Sequence, residues 1–99
     1  MSSVLPIFSL LFTMMLPFAP QEIGGSAIAE QVFRNNCMIC HGQDLEGGFG
    51  PELLHVGSRK SKAQIAQQIQ HGGMLMPAFG NQLDAGTIET LAQWLSEKK

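Results

Sequence analysis

The sequence has no excess of positive charge, no internal repeat, and no alternation of polar and apolar residues long enough to make a β-strand. Six lysines and arginines against eight aspartates and glutamates give a formal net charge of -2. Proteins that bind nucleic acid usually present a basic stripe to the phosphate backbone, so nucleic acid is not an expected partner. The missing strand pattern indicates an all-α fold.

Charge is also missing from the start of the chain. Residues 1–20, MSSVLPIFSLLFTMMLPFAP, contain no charged side chain. Between the prolines, residues 7–16 have the length of the apolar region of a secretory signal, whereas a transmembrane helix needs about 20 apolar residues. Both kinds of segment usually have lysine or arginine near their start, and this one has none. A true start that lies upstream would explain the difference.

We interpret residues 1–25 as a hydrophobic leader with a short linker, and residues 26–99 as one domain. The small residues AIA at 27–29 form a possible signal-peptidase site, but cleavage there would shorten the first predicted helix. Removal of the leader and its retention as a membrane anchor are therefore both open. Either outcome places the domain outside the cytoplasm, on the extracytoplasmic face of the cell membrane or exported to the periplasm.

Three segments have helical periodicity. The first is predicted to start near Ser26 as N-cap, with Glu30 in its first turn, and to run into the cysteines. The second is predicted to begin after Ser61 and to stop at Gly72. The third covers AGTIETLAQWLSEKK. Its apolar face is formed by Ile88, Leu91, Ala92 and Leu95.

Between the first two helices, the stretch HGQDLEGGFGPELLHVGSR has a density of glycine that a regular helix does not tolerate, so we predict a loop. A domain of about seventy-five residues with such a loop buries little apolar surface, and domains of this size usually need a disulfide, a metal or a cofactor.

The chain has only two cysteines, Cys37 and Cys40, and His41 follows them directly in CMICH. A redox disulfide of the thioredoxin type would be preceded by a strand, and a structural zinc site would need four ligands. The third use of this spacing is covalent haem attachment, in which the two thiols form thioethers with the haem vinyl groups and His41 gives the iron an axial nitrogen. The helical context and the ligand count favour haem.

These motifs resemble the class I cytochromes c, in particular the small single-haem proteins of Gram-positive bacteria, algae and cyanobacteria. In that family a helix precedes C-x-x-C-H, as AIAEQVFRNN does here, and a Gly-Pro pair follows, matched by Gly50 and Pro51. The resemblance implies about three main helices around one covalently bound haem c. It also assigns the Pro51 carbonyl as acceptor for His41, and it gives the C-terminal helix a large aromatic residue, matched by Trp94.

The second axial ligand is predicted to be Met76. Pro77 stiffens and extends the chain at Met76, and in the family the ligand directly precedes a proline. Met74 is the alternative on the same loop, and we otherwise assign its thioether to packing. His55 and His71 are also candidates, but they are expected in a loop and at the end of the second helix.

Two further groups are predicted near the haem or at its edge. The aromatic group comprises a helix-to-helix pair, Phe33 with Trp94, and two residues expected to wall the haem, Phe49 and Phe79. The cationic group could pair with a haem propionate or form a solvated surface. Its members are Arg59, Lys60 and Lys62.

The resemblance implies a one-electron carrier, not an enzyme, with the iron cycling between Fe(II) and Fe(III) under His41 and Met76. Its expected partners are a quinol-oxidising complex and a terminal oxidase or photosynthetic centre, with the membrane as a further partner if the leader is retained. Two alternatives remain. One is a haem enzyme or gas sensor with an open sixth position, such as a small peroxidase, and the other is a fixed haem subunit of a larger membrane oxidoreductase.

Overall fold

A computed structural model describes residues 24–99, and the predicted leader lies almost entirely outside them. Over the described residues the chain forms helices and loops without a strand, as the sequence predicts. No helix among these residues has the length and apolar character needed to cross a membrane. The helices are α1 (Gly25–Asn36), α2 (Met38–His41), α3 (Val56–Arg59), α4 (Lys62–His71) and α5 (Ala85–Ser96).

Helix α1 begins before the predicted N-cap. Gly24 occupies the N-cap position and Gly25 the first turn, so the prediction of Ser26 as the cap was wrong. Glu30 also lies beyond the first turn, where it pairs with Arg34 one turn further on at 2.7 Å. Because glycine has no side chain to accept a hydrogen bond at the N-cap, the sequence carries no capping signal for the start of α1.

The caps of α4 and α5 follow from their sequences. Ser61 Oγ accepts the Gln64 amide while the Gln64 side chain accepts the Ser61 amide, which makes a complete capping box. Gly72 ends α4 with a positive φ of 71°, as predicted. At α5 the Asp84 carboxylate accepts the Thr87 amide at 2.7 Å.

The core lies where α5 packs against both α1 and α4. The four residues predicted for the inner face of α5 are all buried there. From α1, Phe33 is 1% exposed, and its ring centroid lies 5.8 Å from that of Trp94 at an interplanar angle of 56°. This tilted pair confirms the predicted aromatic contact between the first and last main helices.

The glycine-rich stretch is more ordered than a plain loop. It contains α3, whose Gly57 amide donates to the Lys98 carbonyl at 2.7 Å. Ser58 Oγ donates to the Lys99 carbonyl, and His55 Nδ1 lies 3.0 Å from the same oxygen. The segment after α5 is therefore attached to α3, a contact that glycine content alone does not predict.

Candidate haem-binding site

The two cysteines lie one helical turn apart. Cys37 ends α1 and also caps α2, and its carbonyl accepts the amides of Cys40 at 3.2 Å and His41 at 3.0 Å. Both thiols are half-buried, and neither forms a disulfide within residues 24–99. The short helix brings the two sulfur atoms to one side of the chain and places the imidazole at its end.

The imidazole of His41 is held by the loop that follows it. Its Nδ1 lies 2.8 Å from the Pro51 carbonyl, and since a carbonyl only accepts, Nδ1 carries the proton. In the neutral imidazole this leaves Nε2 as the nitrogen with a free lone pair, the atom that can bind a metal. The Gly50 amide donates to the Cys40 carbonyl at 2.6 Å, and a Cβ at Gly50 would lie 3.0 Å from His41 Cε1, so this close approach favours glycine.

The environment of the Cys37 thiol does not favour a redox nucleophile. Burial, reinforced by the charge of neighbouring Cys40, raises the pKa of Cys37 to about 11. Reactive cysteines of C-x-x-C oxidoreductases have a lowered pKa and hence a thiolate at neutral pH. Together with the helix that precedes the motif, the raised pKa of Cys37 argues against the disulfide alternative.

Met76 and Met74 occupy opposite environments on the loop between α4 and α5. Met76 is half-buried and packs against the same core as Cys37. Met74 is 99% exposed, so the assignment of its thioether to packing was wrong. Of the two methionines on this loop, Met76 is therefore the one that packs on the core against which Cys37 also packs.

The aromatic and cationic residues predicted near the haem differ in their exposure and in their partners. Phe79 is buried in the core, whereas Phe49 is 73% exposed, and its contact with haem stays a prediction. Arg59 pairs with Glu52 at 2.6 Å and Lys62 with Glu89 at 2.6 Å, which favours the reading of the cationic group as protein surface. The Arg59 guanidinium also holds the pKa of Glu52 below its usual range, although partial desolvation opposes this.

Two contributors were missed at the level of sequence. Gly50 was noted only for its place before Pro51, and Gln68, which donates to the Gly72 carbonyl at 2.9 Å, was not considered. Gly50 had a usable signal, because the loop must return closely to His41. Gln68 had none, since it is one of several glutamines on α4.

The described residues fit a covalently bound haem. They supply two thiols at one-turn spacing, a 9% exposed imidazole whose Nδ1 is already occupied, and a half-buried thioether on a separate loop. The neighbouring core is apolar, and within residues 24–99 no buried side-chain nitrogen or oxygen lacks a hydrogen-bond partner. Sulfur and imidazole donors in an apolar setting suit iron in a porphyrin.

Comparison with known proteins agrees with this donor set. The family model described as "Cytochrome C oxidase, cbb3-type, subunit III" matches residues 26–95. The chain is 36% identical over 74 residues to cytochrome c-550 of Bacillus subtilis, covering 75% of this chain and 60% of the relative. It is 31% identical over 83 residues to cytochrome c6 of Diacronema lutheri, covering 76% of this chain and 98% of that protein.

A solved structure has the same fold. Dihydro-heme d1 dehydrogenase NirN in complex with DHE superposes with a TM-score of 0.68 and 34% sequence identity. The match covers 74% of this chain but 16% of that one. The chain likewise spans only about three fifths of the Bacillus cytochromes it resembles. The likeness is therefore to one domain of these larger proteins, and to nearly the whole of the algal one.

Proposed function

This chain belongs to the class I cytochrome c family, and from that premise we propose that residues 26–99 form a one-electron carrier with one covalently bound haem c. The observation that carries the proposal is the His41 imidazole, which follows two thiols at one-turn spacing and has its Nδ1 proton held by Pro51. The haem, when bound, supplies a reversible one-electron change at its iron.

Each site residue then has a distinct task. Cys37 and Cys40 would attach the cofactor through thioethers, and His41 would bind the iron through Nε2. The Pro51 carbonyl keeps the His41 proton on Nδ1 and fixes the ring orientation. Met76 is the proposed sixth ligand, supported by its half-buried position and by the restriction that Pro77 places on its backbone.

A carrier, and not an enzyme, is the better proposal for this site. If His41 and Met76 both bound the haem iron, they would leave no coordination position for a substrate. The resemblance to a dehydrogenase covers 16% of that enzyme, so it extends only to a haem domain. The near-complete match to the algal cytochrome c6 supports a domain that works without further catalytic parts.

Location and partners follow as further proposals. The apolar, uncharged residues 1–20 support export, with the domain outside the cytoplasm, whether or not the leader stays as an anchor. The partners we propose are a quinol-oxidising complex as donor and a terminal oxidase or photosynthetic centre as acceptor. The description of the matching family model, which names an oxidase subunit, supports the oxidase in particular.

One experiment tests the central proposal. Purified protein should keep its haem through acid–acetone extraction, because thioethers are covalent. Redox titration should give a reversible one-electron wave, and the reduced protein should bind carbon monoxide poorly. Haem that extracts freely would refute covalent attachment. Ready binding of carbon monoxide would replace the carrier by the sensor or peroxidase alternative.

A further inference from the structure

The loop that carries Met76 is tied to α4 by one side chain. Gln68, half-buried near the end of α4, donates from Nε2 to the Gly72 carbonyl at 2.9 Å. The Gly72 amide donates to the Gln68 carbonyl at 2.8 Å. One residue therefore holds both backbone polar groups of Gly72. Within residues 24–99, the hydrogen bond from Gln68 to Gly72 is the one by which a side chain of α4 binds the backbone of the loop 72–83.

Backbone hydrogen bonds hold the loop in which Met76 is half-buried and Met74 is exposed. The Gly73 amide donates to the Met76 carbonyl at 2.9 Å and closes a tight loop around Met74. The buried Phe79 returns the chain to α4 through its amide, which donates to the Ile69 carbonyl at 3.0 Å. Between these two anchors Met76 packs on the core and Met74 is 99% exposed.

Gly72 couples the Gln68 hydrogen bond to Met76. Gly72 has a φ of 71°, and a Cβ there would lie 2.6 Å from the Met76 carbonyl oxygen. The backbone of Met76 is therefore packed directly on Gly72. Because the Gly72 carbonyl belongs to the peptide that leads into Gly73, its direction sets the path of the loop towards Met76.

We propose that Gln68 is the positioning residue for the axial methionine: by holding the Gly72 carbonyl, it keeps the loop in the register that turns Met76 inwards and leaves Met74 outside. This rests on the proposed function, because it takes Met76 as the ligand. Two methionines two residues apart offer the same sulfur donor, so choosing between them requires a loop that is held by its surroundings.

The first test compares Gln68→Leu and Gln68→Glu with Gln67→Leu. Leucine and ionised glutamate both lack the donor, although one is apolar and the other charged, and Gln67 is an exposed neighbour on the same helix. Loss of one hydrogen bond of about 1 kcal/mol changes the loop-opening equilibrium about fivefold. Imidazole reaches ferric iron only after Met76 leaves, so its affinity should rise about fivefold in both Gln68 variants. Gln67→Leu should match the parent.

The second test addresses the register. Met74→Leu should not change the weak long-wavelength absorption band of methionine-bound ferric haem in the parent. In Gln68→Leu the freed loop lets Met74 compete for the iron, so adding Met74→Leu should reduce the band further. The effect of Met74→Leu in Gln68→Leu minus its effect in the parent is the coupling measured by a double-mutant cycle.

Three results have distinct meanings. Equal imidazole affinity in the parent and both Gln68 variants would overturn the positioning role of Gln68. Strict additivity between Gln68→Leu and Met74→Leu would overturn the register assignment. A parent protein without covalent haem or without reversible reduction would instead refute the proposed function. Measurements on the parent therefore distinguish failure of the proposed function from failure of the role of Gln68.

Discussion

Replacing Gly57 by alanine should destabilise the domain although the residue lies in a helix. Gly57 is part of α3, where alanine would ordinarily favour the helical backbone. A Cβ at this position, however, would lie 2.6 Å from the Ser96 carbonyl carbon and 2.9 Å from the Lys98 carbonyl oxygen. These are backbone atoms of the last residue of α5 and of the segment that follows it, so the end of α5 and that segment must move away from α3.

The magnitude follows from what this movement disrupts. Overpacking of a well-packed contact costs about 1–3 kcal/mol. The hydrogen bond from the Gly57 amide to the Lys98 carbonyl, now 2.7 Å, would also separate, at about 0.5–1.5 kcal/mol. We expect Gly57→Ala to lower the free energy of unfolding by about 2–4 kcal/mol, a large part of the roughly 5–15 kcal/mol typical of a native domain.

The matched control is Gly86→Ala in α5. A Cβ at Gly86 would meet only the Asp84 Oδ1 at 3.5 Å, an ordinary contact, so the substitution should stabilise the protein by about 0.4–1 kcal/mol. Urea unfolding of the haem-loaded protein, followed by far-ultraviolet circular dichroism, measures both variants. A Gly57→Ala protein as stable as the parent would show that the contact between α3 and the segment after α5 is not tight in solution.

Three further outcomes are expected. Met76→Ala should abolish the long-wavelength absorption band, lower the reduction potential and open the iron to carbon monoxide. Met74→Ala should leave the spectrum and the potential unchanged. Loss of the band in Met74→Ala would instead identify Met74 as the ligand. The double substitution of Cys37 and Cys40 by alanine should leave a largely unfolded chain, and a cooperative thermal transition in calorimetry would contradict this. Hydrogen bonds from Thr87 lower the pKa of Asp84. The ionised Asp84 carboxylate should therefore stabilise the fold above its unfolded-state pKa, and this stabilisation should disappear as pH falls through its folded-state pKa. Unfolding titrations across acidic pH should show that Asp84→Asn lacks this part of the parent's pH dependence.

The sequence predicted those parts of the fold that depend on local chemistry. The start of α4 at Ser61, its stop at Gly72 and the apolar face of α5 each involve residues within a few positions of one another. The start of α1 was misplaced because Gly24 begins the helix without a capping side chain. Helix α3 was missed because its tertiary partner, the segment around Lys98, is distant in sequence.

The candidate site divides in the same way. Cys37, Cys40 and His41 are contiguous and have a spacing that few chemistries use, so the sequence was enough to nominate them. The environment that separates Met76 from Met74 depends on hydrogen bonds between the loop and α4, including that of Gln68, and no local pattern encodes it. The exposure of Met74 was consequently not anticipated.

The pairing of α1 with α5 has a consequence for the order of events as the chain is made. The contact between His41 and Pro51 closes over only ten residues, so it can form early and locally. The Phe33–Trp94 contact needs the last helix, and long-range contacts of this kind form late, since chains are synthesised from the N-terminus. Until α5 is available, the side of α1 that packs on it in the folded domain is uncovered. Closure of the core by the Phe33–Trp94 contact is therefore expected to follow the contact between His41 and Pro51.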